Sequence, residues 1–261
     1  MDFSRMKQLV VPEGVVKKIE TGGKTVWQSV TDDPLTAAQI SAINAGTFEN
    51  INVGYYWTFI DIPYTYVDEN NVIQSDTYSR TMRVADCNYY LNTGDTPLTT
   101  HHVVVVPDAN MFKAQMNASA TTTGGYVGSK MRTTYLRRAE ALFKACFGKS
   151  HILKHREYLV NAVSNGKESA GVWYDSTVEL MNERMVFETA AYANTSLPRV
   201  SSRQLTLFKN NIALKAIEYW YWLRNVFTST GFVGVYYDGI CFHFGNLDAS
   251  RSYGVHPAAL I

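Results

Sequence analysis

The spacing of hydrophobic residues changes several times along this chain, and each change predicts an element. Between residues 7 and 28, short β-branched runs such as Leu9-Val10-Val11 and Val15-Val16 are interrupted by Pro12-Glu13-Gly14 and Gly22-Gly23. Turn residues between short apolar runs predict a small β-hairpin unit over residues 1–30. Asp32-Asp33-Pro34 reads as a joint, after which Leu35, Gln39/Ile40 and Ile43 fall at helical spacing and predict a short helix ending near Gly46. From Val53 to Val84 the chain is aromatic and β-branched, with Asp68-Glu69-Asn70-Asn71 placed as the turn of a further hairpin.

The run His101-His102-Val103-Val104-Val105-Val106-Pro107 is continuous up to its proline stop and predicts a buried strand. Ser129 is placed to cap a helix running to about Phe147, with Met131, Tyr135, Leu136, Ala139, Leu142, Phe143 and Cys146 on one stripe. Its Arg132, Arg137, Arg138 and Lys144 then form a solvated face rather than a nucleic-acid patch. A second helix is predicted from Ser176 to about Glu188, with Val178, Met181, Met185 and Val186 inward and the methionines acting as core filler.

Composition narrows the classes available. With 261 residues, 46% of them hydrophobic and 18% charged, the chain suffices for one large globular domain, or for one domain plus a small appendage. A formal net charge of +1 gives no global field to attract nucleic acid or an anionic membrane. No apolar run approaches the roughly 20 residues of a spanning helix, and Met1-Asp2-Phe3-Ser4-Arg5 has no signal-peptide character, so cytoplasmic synthesis without membrane insertion is expected. Cys87, Cys146 and Cys241 are widely spaced and form no CxxC pair, which predicts reduced, mostly buried thiols.

The catalytic inventory is empty. No phosphate-binding glycine loop, GxSxG or HExxH occurs. Neighbouring histidines on a strand point to opposite faces, so His101 and His102 do not make a zinc pair. Asp86 beside Cys87, and Asp175 beside Trp173 and Tyr174, are expected to be hydrogen-bonded structural carboxylates. No enzyme activity, metal or cofactor is therefore expected.

One absence stands out. From Asn225 to Ile261 there is no Lys, Glu, Gln, Met or Trp, although all five occur before it, and the segment is crowded with Tyr, Phe, His, Asn, Ser and Gly. It is preceded by Trp220-Tyr221-Trp222-Leu223-Arg224 and closes with Ala249-Ser250 and Gly254-Val255-His256-Pro257-Ala258. This arrangement resembles the closing pattern of C-type-lectin-like domains in bacteriophage tail proteins, a family that includes retroelement-diversified variable proteins and phage tropism determinants. Asn88-Tyr89-Tyr90-Leu91, the His101 to Asp108 run, Met116-Asn117, Thr123 to Met131 and Trp173-Tyr174-Asp175-Ser176 extend the resemblance over about residues 35–261. The sequence departs from the family at His256, where Arg is usual.

The resemblance implies an α+β fold: a C-type-lectin-like ligand-binding domain over residues 35–261, with two helices, twisted antiparallel sheets and long irregular C-terminal loops. It also gives the missing residue types a cause. In diversified members, adenines of Asn-type codons are randomised while the third base stays a pyrimidine, which excludes Lys, Glu, Gln, Met and Trp. Ordinary loop composition is the competing cause. The implied variable segment covers about residues 225–253, and the N-terminal unit becomes an attachment segment for other tail proteins.

In composition the segment reads as a paratope, since Tyr and Phe give contact area at low entropic cost while Asn, Ser and Gly adapt. The candidate ligand-binding residues are Phe227, Thr230, Gly231, Gly234, Tyr236, Tyr237, Ile240, Phe242, His243, Phe244, Asn246, Leu247, Asp248, Arg251 and Tyr253. Phe232, Val233 and Val235, with Trp220, Trp222, Val255 and Pro257, are assigned to the framework. The expected partner is a bacterial surface receptor, protein or glycan, bound by a homotrimer on the virion. Calcium is not implied, because the carboxylate-Pro-Asn loop of sugar-binding lectins is missing and Asp238 with Asp248 does not replace it. The alternatives are a structural tail or baseplate component and, in a different class, an enzyme on a formylglycine-generating-enzyme-like fold, for which Cys241 is the only nearby thiol.

Overall fold

The computed structural model describes residues 34–198, 203–239 and 248–261, and the backbone alone of the N-terminal strands and of Cys241–Phe242. The chain divides into two units, Met1–Thr36 and Ala37–Ile261. In the first, β1 (Leu9–Val11) pairs antiparallel with β2 (Gly14–Val16), and β3 (Lys18–Thr21) with β4 (Lys24–Gln28). Pro12-Glu13 and Gly22-Gly23 thus fall between the paired strands of two successive hairpins.

The second unit opens with α1 (Ala37–Ala45), which stops at Gly46 in the left-handed region. Next come β5 (Tyr56–Thr58), the hairpin of β6 (Ile62–Val67) and β7 (Ile73–Tyr78), β8 (Thr81–Cys87), β9 (Val103–Pro107) and β10 (Phe112–Gln115). At the β6–β7 turn, Asp68 Oδ1 accepts the amides of Asn70 and Val72, while Asn71 takes a positive φ. Met131–Tyr135 forms a π-helical turn that leads into α2 (Leu136–Phe147). Ser129 does terminate this helix, because its Oγ accepts the Arg132 amide. The predicted stripe faces inward, except that Tyr135 is half-buried and donates its phenol hydrogen to Glu69.

A long hairpin follows, β11 (His155–Ser164) with β12 (Lys167–Ser176), then β13 (Val178–Leu180), α3 (Glu183–Phe187) and α4 (Thr206–Asn210). The helix expected from Ser176 is therefore corrected to a strand and a five-residue helix. Its inward residues are as expected, with Val178, Met181, Met185 and Val186 all buried. The error is one of period: Val178, Glu179 and Leu180 pair with residues Ala259, Ala258 and Pro257, and this long-range pairing overrides the helical spacing. The C-terminal strands are β14 (Tyr221–Val226), β15 (Phe232–Val235), β16 (Cys241–Phe242), β17 (Ser252–Val255) and β18 (Pro257–Leu260).

Two five-stranded sheets organise this α+β unit, in the orders β13-β18-β9-β8-β5 and β10-β17-β14-β15-β16. The first is antiparallel throughout, and the second contains one parallel contact, β14 with β17. The β9 valines show why that run is continuous: Val103 to Val106 are at most 2% exposed, so both faces are covered. Val104 and Val106 join Tyr221, Leu223, Val233, Val235, Ala258 and Leu260 in one core that spans both sheets. Each such side chain contributes about 1.5–3 kcal/mol on full burial. Phe232, Val233, Val235, Trp222, Val255 and Pro257 are buried, as their framework assignment requires.

Candidate functional site

β14 is fixed by directional polar bonds as well as by packing. The Arg224 guanidinium donates to both oxygens of Glu157 on β11, at 3.2 and 3.0 Å, and all of these groups are buried. Glu157 also accepts the Tyr90 phenol at 2.6 Å. Burial pushes the Glu157 pKa up, but Arg224, His155 and Tyr90 outweigh it and hold the carboxyl at about 2. Next along the strand, the Asn225 side chain donates to Glu168 on β12 at 3.0 Å and accepts the Glu183 amide of α3 at 2.8 Å. Earlier on the strand, the Trp222 indole N–H donates to the Ala114 carbonyl at 3.0 Å.

At the N-terminal end of this anchored strand the aromatic residues reach the surface. Trp222 contacts Tyr253 at a centroid distance of 4.9 Å, Tyr253 contacts Trp220 at 5.2 Å, Trp220 contacts Tyr236 at 4.7 Å, and Tyr236 contacts Tyr237 at 4.1 Å. The series runs from a fully buried indole to Tyr237, which is 55% exposed. A hydrogen bond with Tyr237 raises the Tyr236 phenol pKa, and burial raises that of Tyr253. The turn that carries Tyr236 and Tyr237 closes through the Gly239 amide onto the Tyr236 carbonyl at 2.9 Å. Gly239 has φ +80°, and a Cβ there would lie 3.1 Å from the Ala216 amide nitrogen, so both conformation and space favour glycine.

Beside this series lies an open cleft of about 570 Å³, lined by Lys113, Tyr219, Trp220, Arg251, Ser252 and Tyr253. The Lys113 ammonium sits 3.7 Å from the Tyr219 ring centroid, a cation–π contact. The cleft floor is held by a tight backbone contact: Gly254 donates its amide to the Trp220 carbonyl at 2.8 Å, and Asn110 donates to the Tyr219 carbonyl at 3.3 Å. A Cβ on Gly254 would fall 2.0 Å from Asn110 Cγ, so glycine is what admits that side chain.

The sequence-predicted residues therefore divide. Tyr236, Tyr237, Arg251 and Tyr253 gather at the Trp220 end of the β14–β15 hairpin, where Tyr221 pairs with Val235. Phe227, Thr230 and Gly231 lie at the opposite end, beyond the Val226–Phe232 pair. There Phe227 packs edge-on against Tyr192 at 4.9 Å, half-buried against the core, and Thr230 is exposed. Gly231 is buried and bridged to Asp248, while Gly234 is buried within the sheet between Trp222 and Phe242. Ladder pairing thus engages both glycines, which were expected among the ligand contacts. Asp248 accepts the Ser250 amide and hydroxyl, each at 2.7 Å, and these bonds lower its pKa. Ile240, His243, Phe244, Asn246 and Leu247, and the Phe242 side chain, lie outside the described residues.

Trp220, expected as framework, is half-buried and lines the cleft. Lys113 and Tyr219, which line the same cleft, were not among the residues expected from the sequence. The strand alternation offered a signal: Tyr221 points to the core, which directs Trp220 and Trp222 to the opposite face with Tyr253.

The remaining chemical candidates have structural roles. Asp86 accepts both Arg203 guanidinium nitrogens at 2.6 and 2.7 Å and caps α4 through the Thr206 amide at 2.8 Å. Asp175 pairs with Arg156 at 2.9 Å and with Lys154 at 3.4 Å. His102 is buried, and His101 bonds to Asn88. Among the described residues, no group of His, Cys, Asp or Glu is arranged to hold a metal ion. Burial pushes the Cys87 thiol up to about 11, the reverse of what a nucleophile needs.

No family model matches the chain, and no curated protein or solved structure matches it.

Proposed function

We propose that this chain is a phage or prophage tail receptor-binding protein, with residues 35–261 a C-type-lectin-like domain whose C-terminal face binds a bacterial surface ligand. The observation that carries the reading is the division within the compositional gap. Phe232, Val233, Val235, Val255, Ala259 and Leu260 are at most 1% exposed, whereas Tyr236, Tyr237, Arg251 and Tyr253 form a surface array next to an open cleft. A fixed frame that carries an aromatic, adaptable face suits a binding surface whose residues change between relatives, since preorganisation lowers the entropy lost on binding. The N-terminal hairpins would attach the domain to other tail proteins, and display of homotrimers on the virion would convert modest single contacts into firm attachment.

Attachment of the purified, fluorescently labelled full chain to a panel of bacterial strains tests this reading. Y236A/Y237A should reduce attachment to a responsive strain by at least about tenfold, as loss of an aromatic anchor does at an interface, with an unchanged near-ultraviolet circular dichroism spectrum. If the variant instead changes only the oligomeric state by light scattering, the face is a subunit interface and the chain a structural tail component. In the encoding genome, a near-copy of the codons for residues 225–257 that differs only at adenines, beside a reverse transcriptase, is the expected mark of diversification.

A further inference from the structure

From the cleft beside Trp220 we infer the class of ligand, an inference that rests on the receptor-binding reading of this face: an anionic saccharide, with a sugar ring on Trp220 and Tyr253 and its acidic group between Lys113 and Arg251.

Three observations support it. The first is charge. The cleft lining contains Lys113 and Arg251 and no carboxylate, and among the described residues neither cation is within salt-bridge distance of one; the nearby Asp248 carboxylate, which feels the Arg251 charge, is held by Ser250 instead. Elsewhere in the molecule Arg83, Arg132, Arg138, Arg156, Arg203 and Arg224 each hold a carboxylate. Lys113 rests on the Tyr219 ring, a contact that orients the ammonium.

The second observation is the shape of the apolar surface. Trp220 and Tyr253 meet at 37°, which makes a shallow aromatic floor, and the lining has no aliphatic side chain that would form a pocket for a peptide's Leu, Ile or Met anchor. A pyranose fits such a floor because its C–H bonds carry partial positive charge and meet the electron-rich ring faces. The Ser252 hydroxyl and the phenols of Tyr219 and Tyr253 are suited to the hydroxyls around the sugar rim. The third is size. At about 570 Å³ the cleft lies within the range of small-molecule sites, roughly 300–1,000 Å³. Two cations in a chain of net charge +1 provide no track for a nucleic-acid backbone.

The acid could be a uronate, as in a capsule, or a phosphate diester, as in a teichoic acid, and two probes separate these sources. Calorimetric titration of the full chain with trigalacturonate and with a short glucosylated poly(glycerol phosphate) should show binding to at least one. Neutral maltotriose should bind at least about tenfold more weakly, because it lacks the charge-assisted bonds. K113A and R251A should each weaken the bound probe by about tenfold, and K113E/R251E should abolish binding; both positions are exposed, so the variants should keep the wild-type circular dichroism spectrum. Equal binding of the neutral and acidic sugars overturns the proposal, as does binding of a glutamate-rich peptide with none to either saccharide. If Y236A/Y237A loses attachment to bacteria while K113E/R251E attaches like wild type, the ligand class is wrong and the receptor reading stands. If the intact chain attaches to no strain and binds neither probe, both fall.

Discussion

Acidification between about pH 6.5 and pH 4 should cost this fold much of its stability, because two buried histidines are held neutral. His102 is fixed by its bonds: Nδ1–H donates to the Thr100 carbonyl at 2.9 Å, and Nε2 accepts the Tyr90 amide at 3.1 Å. Protonation would set Nε2–H against that amide hydrogen. His256 donates from Nε2 to the Pro107 carbonyl at 2.7 Å, and its Nδ1 is buried with no partner for an added proton. Burial is the main cause that lowers both pKa values to about 4. Around His102, His155 and His101 add to the shift and Asp86 opposes it; beside His256, Asp108 opposes it.

The sign follows from linkage. The folded pKa lies below the unfolded value of 6.5, so the unfolded chain takes up protons first and is favoured as pH falls. The stabilisation is complete above the unfolded pKa and is lost on the way down to about 4. At about 1.36 kcal/mol per unit, each histidine accounts for about 3 kcal/mol and the pair for about 6 kcal/mol, against a typical total of about 5–15 kcal/mol. Urea unfolding followed by tryptophan fluorescence at several pH values measures this directly. The slope near pH 5 should approach about 2.5 kcal/mol per pH unit, since the unfolded state then holds nearly two extra protons. H102Q and H256Q should each remove about half of the pH dependence, even where they lower stability at neutral pH. A midpoint that stays level from about pH 6.5 to pH 4.5, or a double variant as acid-sensitive as wild type, would refute the reasoning.

Three further outcomes follow from the geometry. R224M leaves the Glu157 carboxylate buried without its cation and should cost about 3–5 kcal/mol in urea unfolding, while R224M/E157L should recover at least half; a loss below about 1 kcal/mol would show that the pair does not hold β14. G254A forces a Cβ onto Asn110 and should cost about 1–3 kcal/mol, with N110A/G254A restoring most of it; an undiminished melting temperature in G254A would contradict the close approach. Cys146, buried and with a raised pKa, and Cys87, raised to about 11, should resist a thiol-disulfide reagent until the chain unfolds, with peptide mapping used to assign the label; rapid native-state labelling of Cys146 would contradict its burial.

What the sequence disclosed and what it hid follow the range of the interactions. Hairpins with their own turn chemistry were legible, as at Asp68 to Asn71, where the turn is satisfied within five residues. The β9 valines were legible because burial on both faces leaves an unbroken run. Residues 176–182 were not, because their conformation is set by pairing with β18, some 80 positions away by the Val178–Ala259 register. The aromatic face was visible as composition, yet its membership was only partly so. Gly231 and Gly234 resembled adaptable loop residues until the ladder positions were known, and Lys113 enters the cleft from β10, far outside the compositional gap.

The buried carboxylates were equally hidden, since no local pattern separates Glu157, Glu168 and Glu183 from surface glutamates, and they bear on the proposal that this face carries a changing sequence. Each reaches β14 or the loops beside it: Glu157 binds Arg224, Glu168 binds Asn225 and the Val226 amide, and Glu183 accepts the Tyr192 and Ala193 amides. Hydrophobic contacts alone would allow a strand to slip or tilt when its neighbours change size, whereas hydrogen bonds to fixed acceptors specify one register. The anchors act at residues 224–226 and the exposed rings lie beside the other end of that strand, so substitutions at Tyr236, Tyr237 or Arg251 need not disturb any of them. For the binding face proposed above, separating what fixes the strand from what would meet a ligand is the physical condition for varying one without losing the other.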